Sequence, residues 1–444
     1  GEVGNDGINS SLWSQNWEST SDKRYQGAVN GAFLPSYSLG ADMANKDLKW
    51  ETTITRNIGV DFGFFNSRLT GTIDAYWNTT KDLLMKTAIP GITGFTSTYA
   101  NVGQTSNKGI EIALQGVLVK TRDWNVTAGF NINFNRGKVD KLADNVTGLY
   151  GTEWATSSTF PKSDYVLKEG RPVGLVRGLT ADGFYTTDDF TYENGVYTLK
   201  EGVADVSSAV FPNYHLHNGI NERPAGQLAY PGMAKFKDLN DDGIINDDDV
   251  DVIGDMTPVH TGGFNINATY KNFDLGLYFN WSYGNEIYNV NKLAALYGYK
   301  EGAVYENKLS IVKDCYKIYD VVNGELVALT TPEQLNAANA NAKLPLAYSE
   351  NGYVSTLGIE DGSYLRLNTL TLGYTLPKSI LQKAGISNLR VYGSIYNVFT
   401  ITGYSGIDAE VSTSTSTKTY PQLGMDWGTY PRARSFVLGV NLSF

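Results

Sequence analysis

The chain has 444 residues, and its 36 Lys and Arg against 46 Asp and Glu give a net charge of −10, the wrong sign for a protein that neutralises nucleic-acid phosphates. No nucleic-acid partner is therefore expected. Aromatic residues make up 12% and charged residues 18%, and Cys315 is the only cysteine, which excludes an internal disulfide. No apolar run approaches the roughly 18 residues of a membrane helix, whereas a membrane β-barrel is compatible with this composition.

In chain order, the predicted elements are mostly strands in which polar and apolar residues alternate. Strands are predicted at 24–39, 55–65, 68–79, 107–118, 124–135, 264–270, 273–283, 363–376, 387–399 and 433–444, with short helices at 331–343 and 378–384. In the clearest segment, apolar residues occupy the odd positions from Phe273 to Tyr283. Most of these strands are longer than the usual ~5–6 residues and match the ~9–11 residues of a membrane-spanning strand.

The connections alternate between short and long. Short links are predicted at 66–67, 120–122, 271–272 and 377–386, and long ones at 81–106, 136–259, 284–362 and 400–432. Outer-membrane barrels have short periplasmic turns and long extracellular loops. The fold class predicted is therefore all-β, an antiparallel transmembrane β-barrel of about ten strands. A soluble sandwich would show the same alternation, but with shorter strands.

One loop carries a metal-binding pattern. Residues 238–249 match the D-x-[DN]-x-[DN]-G motif of a calcium loop, with Gly243 at the sharp turn and a carboxylate at position 12. Calcium prefers six to eight oxygen ligands, and the candidate ligands are Asp238, Asn240, Asp242, the Ile244 carbonyl and Asp249. The alternative is an acidic, solvated turn without a metal.

Ordered motifs along nearly the whole chain resemble the SusC/RagA-like TonB-dependent outer-membrane transporters of Bacteroidota. They are Asp47-Leu-Lys-Trp50-Glu51, Asn57-Ile-Gly59-Val-Asp61, Asn101-Val-Gly103, Asn107-Lys-Gly109-Ile-Glu111, Phe236-Lys-Asp238-Leu-Asn240-Asp-Asp242-Gly243, Gly362-Ser-Tyr364-Leu-Arg366, Tyr396-Asn397-Val-Phe399, Gly406-Ile-Asp408-Ala-Glu410 and Tyr430-Pro431-Arg432. Each motif is short, but the ordered series is specific. Asn45-Lys46 stands where the family has Asn-Pro.

The resemblance implies TonB-dependent import of a nutrient oligomer, glycan or peptide, across the outer membrane of a Gram-negative bacterium. A SusD-like surface lipoprotein and outer-membrane lipid are the implied partners, and TonB would act through an N-terminal part. Residues 1–444 resemble only the C-terminal part of the barrel, without the plug and N-terminal domain. About ten of the ~22 strands of a plugged transporter leave two open edges, so we expect further strands from an N-terminal portion.

A second hypothesis is a secreted β-rich carbohydrate-binding or adhesin protein. It differs from a transporter in remaining monodisperse without detergent. An enzyme, such as a glycosidase that uses paired carboxylates, is the third hypothesis. The chain contains neither the G-x-S-x-G nucleophile motif nor a GxGxxG phosphate loop, and no catalytic residue is predicted.

Overall fold

A computed structural model describes residues 2–3, 12–15, 17–20, 28–29, 32–33, 36–40, 42–144, 146–155, 159–211, 223–296, 309–347, 352–381, 385–413 and 422–444. Most of these residues form strands, and the helices are α1 (Val290–Leu296), α2 (Pro332–Asn339) and α3 (Lys378–Leu381). Short 3-10 turns lie at Gly91–Thr93, Thr187–Asp189, Asp247–Asp249, Ser310–Asp314 and Thr356–Gly358. Within the described ranges, no helix is both long and apolar enough to cross a membrane.

The strands fall into three groups along the chain. The first group is β1 (Glu2–Val3), β2 (Trp17–Thr20), β3 (Ala28–Val29), β4 (Ala32–Phe33), β5 (Ser36–Leu39), β6 (Asp42–Met43), β7 (Glu51–Ile54), β8 (Asn57–Phe64), β9 (Leu69–Ala88), β10 (Ser97–Lys120) and β11 (Trp124–Lys141). The second is β12 (Leu149–Gly151), β13 (Thr159–Phe160), β14 (Tyr165–Leu167), β15 (Leu175–Gly178), β16 (Ala181–Phe184), β17 (Phe190–Glu193), β18 (Val196–Leu199), β19 (Asp205–Val206), β20 (Ala234–Phe236), β21 (Ile244–Ile245) and β22 (Asp251–Asp255). The third is β23 (His260–Tyr270), β24 (Phe273–Tyr283), β25 (Glu286–Asn289), β26 (Tyr319–Val322), β27 (Glu325–Ala328), β28 (Gly352–Tyr353), β29 (Ile359–Asp361), β30 (Tyr364–Thr375), β31 (Asn388–Thr402), β32 (Met425–Asp426) and β33 (Ser435–Ser443).

The chain divides into two units, and the first comprises Gly1–Leu114, Asn133–Leu149 and Leu167–Pro172. Its sheet runs β1, β7, β9, β10, with β8 also paired to β9 and β6 to β10. The turn between β8 and β9 is tight, because residues 65–67 all lie in the left-handed region, with φ of 55–62°. The predicted strands 55–65, 68–79 and 107–118 are confirmed within these elements.

Two predictions for the first unit are wrong. The single strand at 24–39 is replaced by two small hairpins, in which β2 pairs with β5 and β3 with β4. The long loop at 81–106 is a connection of eight residues, 89–96, because β9 continues to Ala88 and β10 begins at Ser97. Asp82, with φ of 58°, interrupts the regular alternation inside β9. The alternation in the sequence therefore did not indicate that the strand continues beyond this residue.

The second unit comprises Gln115–Ile132, Tyr150–Val166 and Val173–Phe444. Its main sheet contains β23, β24, β30, β31 and β33 in that order. The adjoining long connection begins at 142 and not at the predicted 136, since β11 continues to Lys141. Smaller sheets fill the long connections, in the orders β12-β14-β15-β22, β29-β25-β32, β16-β20, β17-β18, β19-β21, β13-β28 and β26-β27.

Register keeps the apolar side chains of the main sheet on one face. Leu277 on β24 lies opposite Ile266 on β23 and Leu370 on β30. Nearer the long-connection end, the rings of Phe264 and Phe279 stack with their centroids 4.3 Å apart. Because side chains alternate across a strand, this pairing places the apolar residues of neighbouring strands on one continuous surface.

The other face of the same strands is polar, as predicted for a lumen. Asn267 on β23 lies opposite Gly276, and the hydroxyl of Tyr278 donates to Asn267 Oδ1 at 3.1 Å. Asn280 Nδ2 donates to the hydroxyl of Tyr364 at 3.2 Å. Hydrogen bonds between side chains of adjacent strands therefore run along this face.

A bulge preserves the two faces across β30 and β31. The pairing register shifts between Leu367 and Thr369, and Asn397 on the partner strand takes φ of 52°. Polar-face residues of β30 are even-numbered before the shift, as at Arg366, and odd-numbered after it, as at Thr369. The uninterrupted strand predicted from sequence is thus two regular halves joined by an irregularity.

The long connections of the second unit have a hydrophobic core of their own. Members that are no more than 2% exposed include Leu179, Tyr185, Tyr197, Met233, Ile245 and Leu335. Two of these tyrosines satisfy their hydroxyls with backbone carbonyls, Tyr185 with Ala204 at 2.6 Å and Tyr197 with Thr330 at 3.0 Å. The connections are therefore folded structure and not extended chain.

We predict that Leu277→Arg impairs assembly of the protein in outer membranes, whereas Asn267→Arg is tolerated. An arginine at mid-depth on a lipid-facing surface costs ~2–4 kcal/mol, while the polar face accommodates charge. Asn280 lies on the same face but is a poorer control site, because an arginine there would lie opposite Arg366. The measurement is the fraction of heat-modifiable, folded protein in isolated membranes. Equal yields for the two variants would contradict the assignment of the faces.

Candidate functional site

The predicted metal loop, residues 238–249, folds as a tight turn between β20 and β22. Gly243 takes φ of +83°, a conformation that a residue with a Cβ rarely adopts. Asp238 Oδ2 accepts the N–H of Gly243 at 2.7 Å, and Asp242 Oδ1 accepts the N–H of Ile244 at 2.9 Å. Backbone amides of the loop itself therefore orient both carboxylates.

The carbonyl of Ile244 is on the inner side of this loop. Its neighbour Gly243 directs its carbonyl outward, where it accepts the N–H of Asp205 at 3.0 Å as β21 pairs with β19. Successive carbonyls along a strand alternate in direction, so that of Ile244 turns to the opposite side. There Asn246 Nδ2 donates to it at 3.2 Å.

Asp249 closes the loop. Its side chain is fully buried, and its two oxygens accept the N–H groups of Leu239 at 2.7 Å and Asn246 at 2.8 Å. The carboxylate of the last residue of the loop is therefore hydrogen-bonded to the second residue, Leu239, and to Asn246. Asn240 lies on the exposed part and donates from Nδ2 to Asp242 Oδ2 at 3.0 Å.

The donor set fits a hard cation in type. Asp238, Asn240, Asp242 and the Ile244 carbonyl offer the oxygen ligands that Ca²⁺ prefers. Across the described part of the chain, however, no three His, Cys, Asp or Glu side chains gather into a group that could hold a metal. A cation at this loop would therefore depend on the amide, the carbonyl and water in addition to carboxylates. The calcium site stays a prediction.

A cavity of about 590 Å³ borders the loop and was not predicted from the sequence. Its charged lining residues are Asp182, Lys235, Lys237, Asp238 and Asp241. Lys235 Nζ lies 2.7 Å from Asp189 Oδ1, and although burial opposes ionisation, this ion pair holds the pKa of Asp189 below its usual range. The lining comes from separate segments of chain, so no local pattern could have indicated it.

Residues 422–426 lie among the other long connections of the second unit. The hydroxyl of Tyr165 donates to the Leu423 carbonyl at 2.8 Å, and the N–H of Tyr288 donates to the Gly424 carbonyl at 2.9 Å. Strand β32 also pairs in parallel with β25. This segment therefore joins connections that are more than a hundred residues away in sequence.

Two carboxylate side chains lie opposite each other in the small sheet of β29, β25 and β32. Glu286 on β25 is directly opposite Asp361 on β29. Burial, together with the charges of Asp255 and Asp361, raises the pKa of Glu286, although the N–H of Asp255 donates to its carboxylate at 2.6 Å. Ionised Glu286 is therefore unfavourable in the folded state.

We predict that Glu286→Gln raises the free energy of unfolding at pH 8 by roughly 0.5 kcal/mol, the size of a cross-strand charge effect. Glutamine retains an acceptor for the Asp255 N–H. Because the folded-state pKa lies above the ordinary value of 4.5, the gain should vanish as the pH falls below that value and the carboxyl is neutral in both states. Calorimetry in detergent at pH 4 and pH 8, with exposed Glu325→Gln as control, measures it. A loss of stability at pH 8 would refute the interpretation.

Three comparisons place the chain among known proteins. A family described as TonB dependent receptor-like, beta-barrel, matches residues 12–398. TonB-dependent receptor P3 of Formosa agariphila is 30% identical over 421 residues, which are 94% of this chain and 36% of that relative. TonB-dependent receptor SusC of Bacteroides thetaiotaomicron is 29% identical over 408 residues, which are 90% of this chain and 32% of SusC.

Solved structures agree on the fold. The structure of the RagAB peptide transporter superposes with a TM-score of 0.66 at 24% identity, over 100% of this chain and 40% of the transporter chain. A RagAB peptide importer in a closed-closed state gives a TM-score of 0.67. The chain thus spans 32% to 40% of the length of these proteins. It belongs to the TonB-dependent receptor-like β-barrel family, and it is an outer-membrane protein of the SusC/RagA type.

Proposed function

We propose that the polypeptide containing this chain imports a nutrient oligomer, glycan or peptide, across the outer membrane in a TonB-dependent process. The single observation that carries this proposal is the match of residues 12–398 to the TonB-dependent receptor barrel. The two-faced sheet is consistent with it, because a polar face lined by Asn267 and Asn280 suits an aqueous path through a barrel. The chain supplies strands and folded connections, and it carries out no chemical reaction on the cargo.

A SusD-like surface lipoprotein is the proposed partner on the extracellular side, where the long connections lie. Its support is the likeness to SusC and to the RagA type of transporter. TonB would engage the polypeptide outside the sequence described. The cargo class is left at glycan or peptide, because the peptide named for the RagAB transporter is the cargo of that protein alone.

The secreted-adhesin hypothesis is less well supported. A secreted protein would have no need of a continuous apolar surface on one face of its longest strands, such as Leu277 with its neighbours Ile266 and Leu370. Outer-membrane localisation of the family also opposes it.

The test is uptake by a strain from which the gene for the full-length polypeptide is deleted. We expect the deletion to abolish uptake of one class of labelled oligomer, either glycan or peptide, that is too large for porins. Dissipating the proton-motive force should stop uptake in the parent strain, and purification in mild detergent should recover the lipoprotein. Unchanged uptake of every oligomer tested, or uptake indifferent to the proton-motive force, would refute the proposal.

We further propose that the loop 238–249 binds one Ca²⁺ through Asp238, Asn240, Asp242 and the Ile244 carbonyl, with Asp249 closing the loop. A bound cation would neutralise the aspartates and order this loop beside the hydrophobic core of the long connections, without acting as a switch. Asp249 supports the proposal, because its buried carboxylate accepts hydrogen bonds from Leu239, near the start of the loop, and from Asn246, near its end.

We predict that 10 mM Ca²⁺ stabilises the connections of the second unit by about 1.4–2.7 kcal/mol, the increment for a Kd of ~10⁻⁴–10⁻³ M. Calorimetry with and without chelator measures it, with Mg²⁺ as the ionic control. Asp242→Ala, which removes the ligand oxygen, should remove the increment, whereas Asp241→Ala, in the same loop but outside the proposed ligand set, should retain it. An increment that survives Asp242→Ala would show that calcium binds elsewhere.

A further inference from the structure

Three of the family-like motifs converge on one buried guanidinium. Arg366 on β30 is only 3% exposed, and it lies on the polar face close to the long-connection end of the strand. Its Nη2 donates to Asp408, its Nη1 donates to Glu410 Oε2 at 2.8 Å, and its Nε donates to Thr400 Oγ1 at 3.0 Å. All three guanidinium nitrogens are therefore engaged.

A second arginine completes the group. Arg432 Nη1 donates to Glu410 Oε2 at 2.9 Å, and its Nε lies 3.5 Å from the other oxygen of Asp408. We call Arg366, Arg432, Asp408 and Glu410 the rim cluster. It contains two positive and two negative charges, so each buried charge has partners of opposite sign, which offsets the cost of removing it from water.

The carboxylates of the rim cluster belong to residues 403–413, which we call the rim strap. Tyr404, 6% exposed, packs with Ile287 and Ala409 in a small core. Its hydroxyl donates to Asp426 Oδ2 at 2.6 Å, and the N–H of Ser405 donates to Glu360 Oε2 at 2.9 Å. The strap therefore contacts the end of β30, the connection 284–362 and the segment 422–426.

We propose that the rim cluster holds the strap permanently against the strand ends, so that the strap is a fixed wall of the long-connection side and not a moving gate. The strap is attached at its middle by the rim cluster and at its start by Tyr404 and Ser405. Residues 422–426 are hydrogen-bonded to the strap and also to Tyr165 and Tyr288. Loss of the rim cluster should therefore also loosen the other long connections that these residues contact.

The chain offers a matched control at the opposite end of the same strands. Arg390 on β31 donates to both oxygens of Asp274 on β24, at 2.8 and 2.5 Å. The pair crosses β30 at Gly373, where a Cβ would lie 2.5 Å from Asp274 Oδ1. It is also an arginine–carboxylate pair on the polar face, but it touches no residue of the strap.

Hydrogen–deuterium exchange on the full-length polypeptide in detergent tests the proposal. Arg366→Met should accelerate exchange of backbone amides in 404–413 and 422–427 by roughly 100-fold, since it leaves the buried carboxylate of Asp408 and the carboxylate of Glu410 short of a partner. Arg390→Met should leave exchange in these segments within about threefold of the parent protein. Arg432→Met should have a smaller effect than Arg366→Met, because the Arg432 side chain is 49% exposed.

Two results would overturn the proposal. One is fast exchange of residues 404–413 in the unaltered protein, which is the behaviour of a gate. The other is an equal response of these residues to Arg366→Met and Arg390→Met, which would indicate general destabilisation of the sheet. Where Arg366→Met fails to assemble, Asp408→Asn is judged by the same criteria.

Discussion

A strand in hydrocarbon has no water to satisfy its backbone N–H and C=O groups, so it must pair along the whole of its embedded length. All 11 residues of β24 pair with β23, and β30 pairs on its other side. The pairing also fixes register, and register decides which side chains share a face. Strand length, alternation and the continuous apolar surface therefore have a single cause.

Outside the bilayer this constraint no longer applies, yet the long connections are folded. They bury Tyr185 and Tyr197, whose hydroxyls donate to backbone carbonyls, so these two rings add buried aromatic area and keep a hydrogen bond at the hydroxyl. Residues 422–426 add hydrogen bonds between connections that are distant in sequence. The described parts of the long connections are consequently an ordered surface.

Charge is handled differently in three places of the second unit. At the rim cluster, two arginines balance two carboxylates, and Arg366 and Asp408 are buried. In the small sheet, Glu286 and Asp361 face one another across paired strands, and the folded state raises the pKa of Glu286. In the metal loop, the aspartates are oriented by backbone amides, which organises them without cancelling their charge. Of these three arrangements, only the rim cluster has equal numbers of positive and negative charges among the described residues.

The sequence by itself determined the long strands, because a period of two along 124–135 or 273–283 is a local property that each strand displays alone. It also determined the donor types of the loop 238–249 and, through ordered motifs, the family. It did not indicate the extended hairpin of β9 and β10, the bulge in β30 or the hairpins of 24–39, since a single irregular residue such as Asp82 shifts the alternation.

The tertiary structure alone decided which distant residues meet. Arg366 and Asp408 are 42 residues apart, and Tyr165 and Leu423 are 258 apart, so no local pattern connects them. Likewise, the inward carboxylate of Asp249 depends on amides at both ends of its loop. Periodicity reports the environment of one strand face, whereas a buried ion pair or a hydrogen bond between connections depends on chain segments that only folding brings within contact distance.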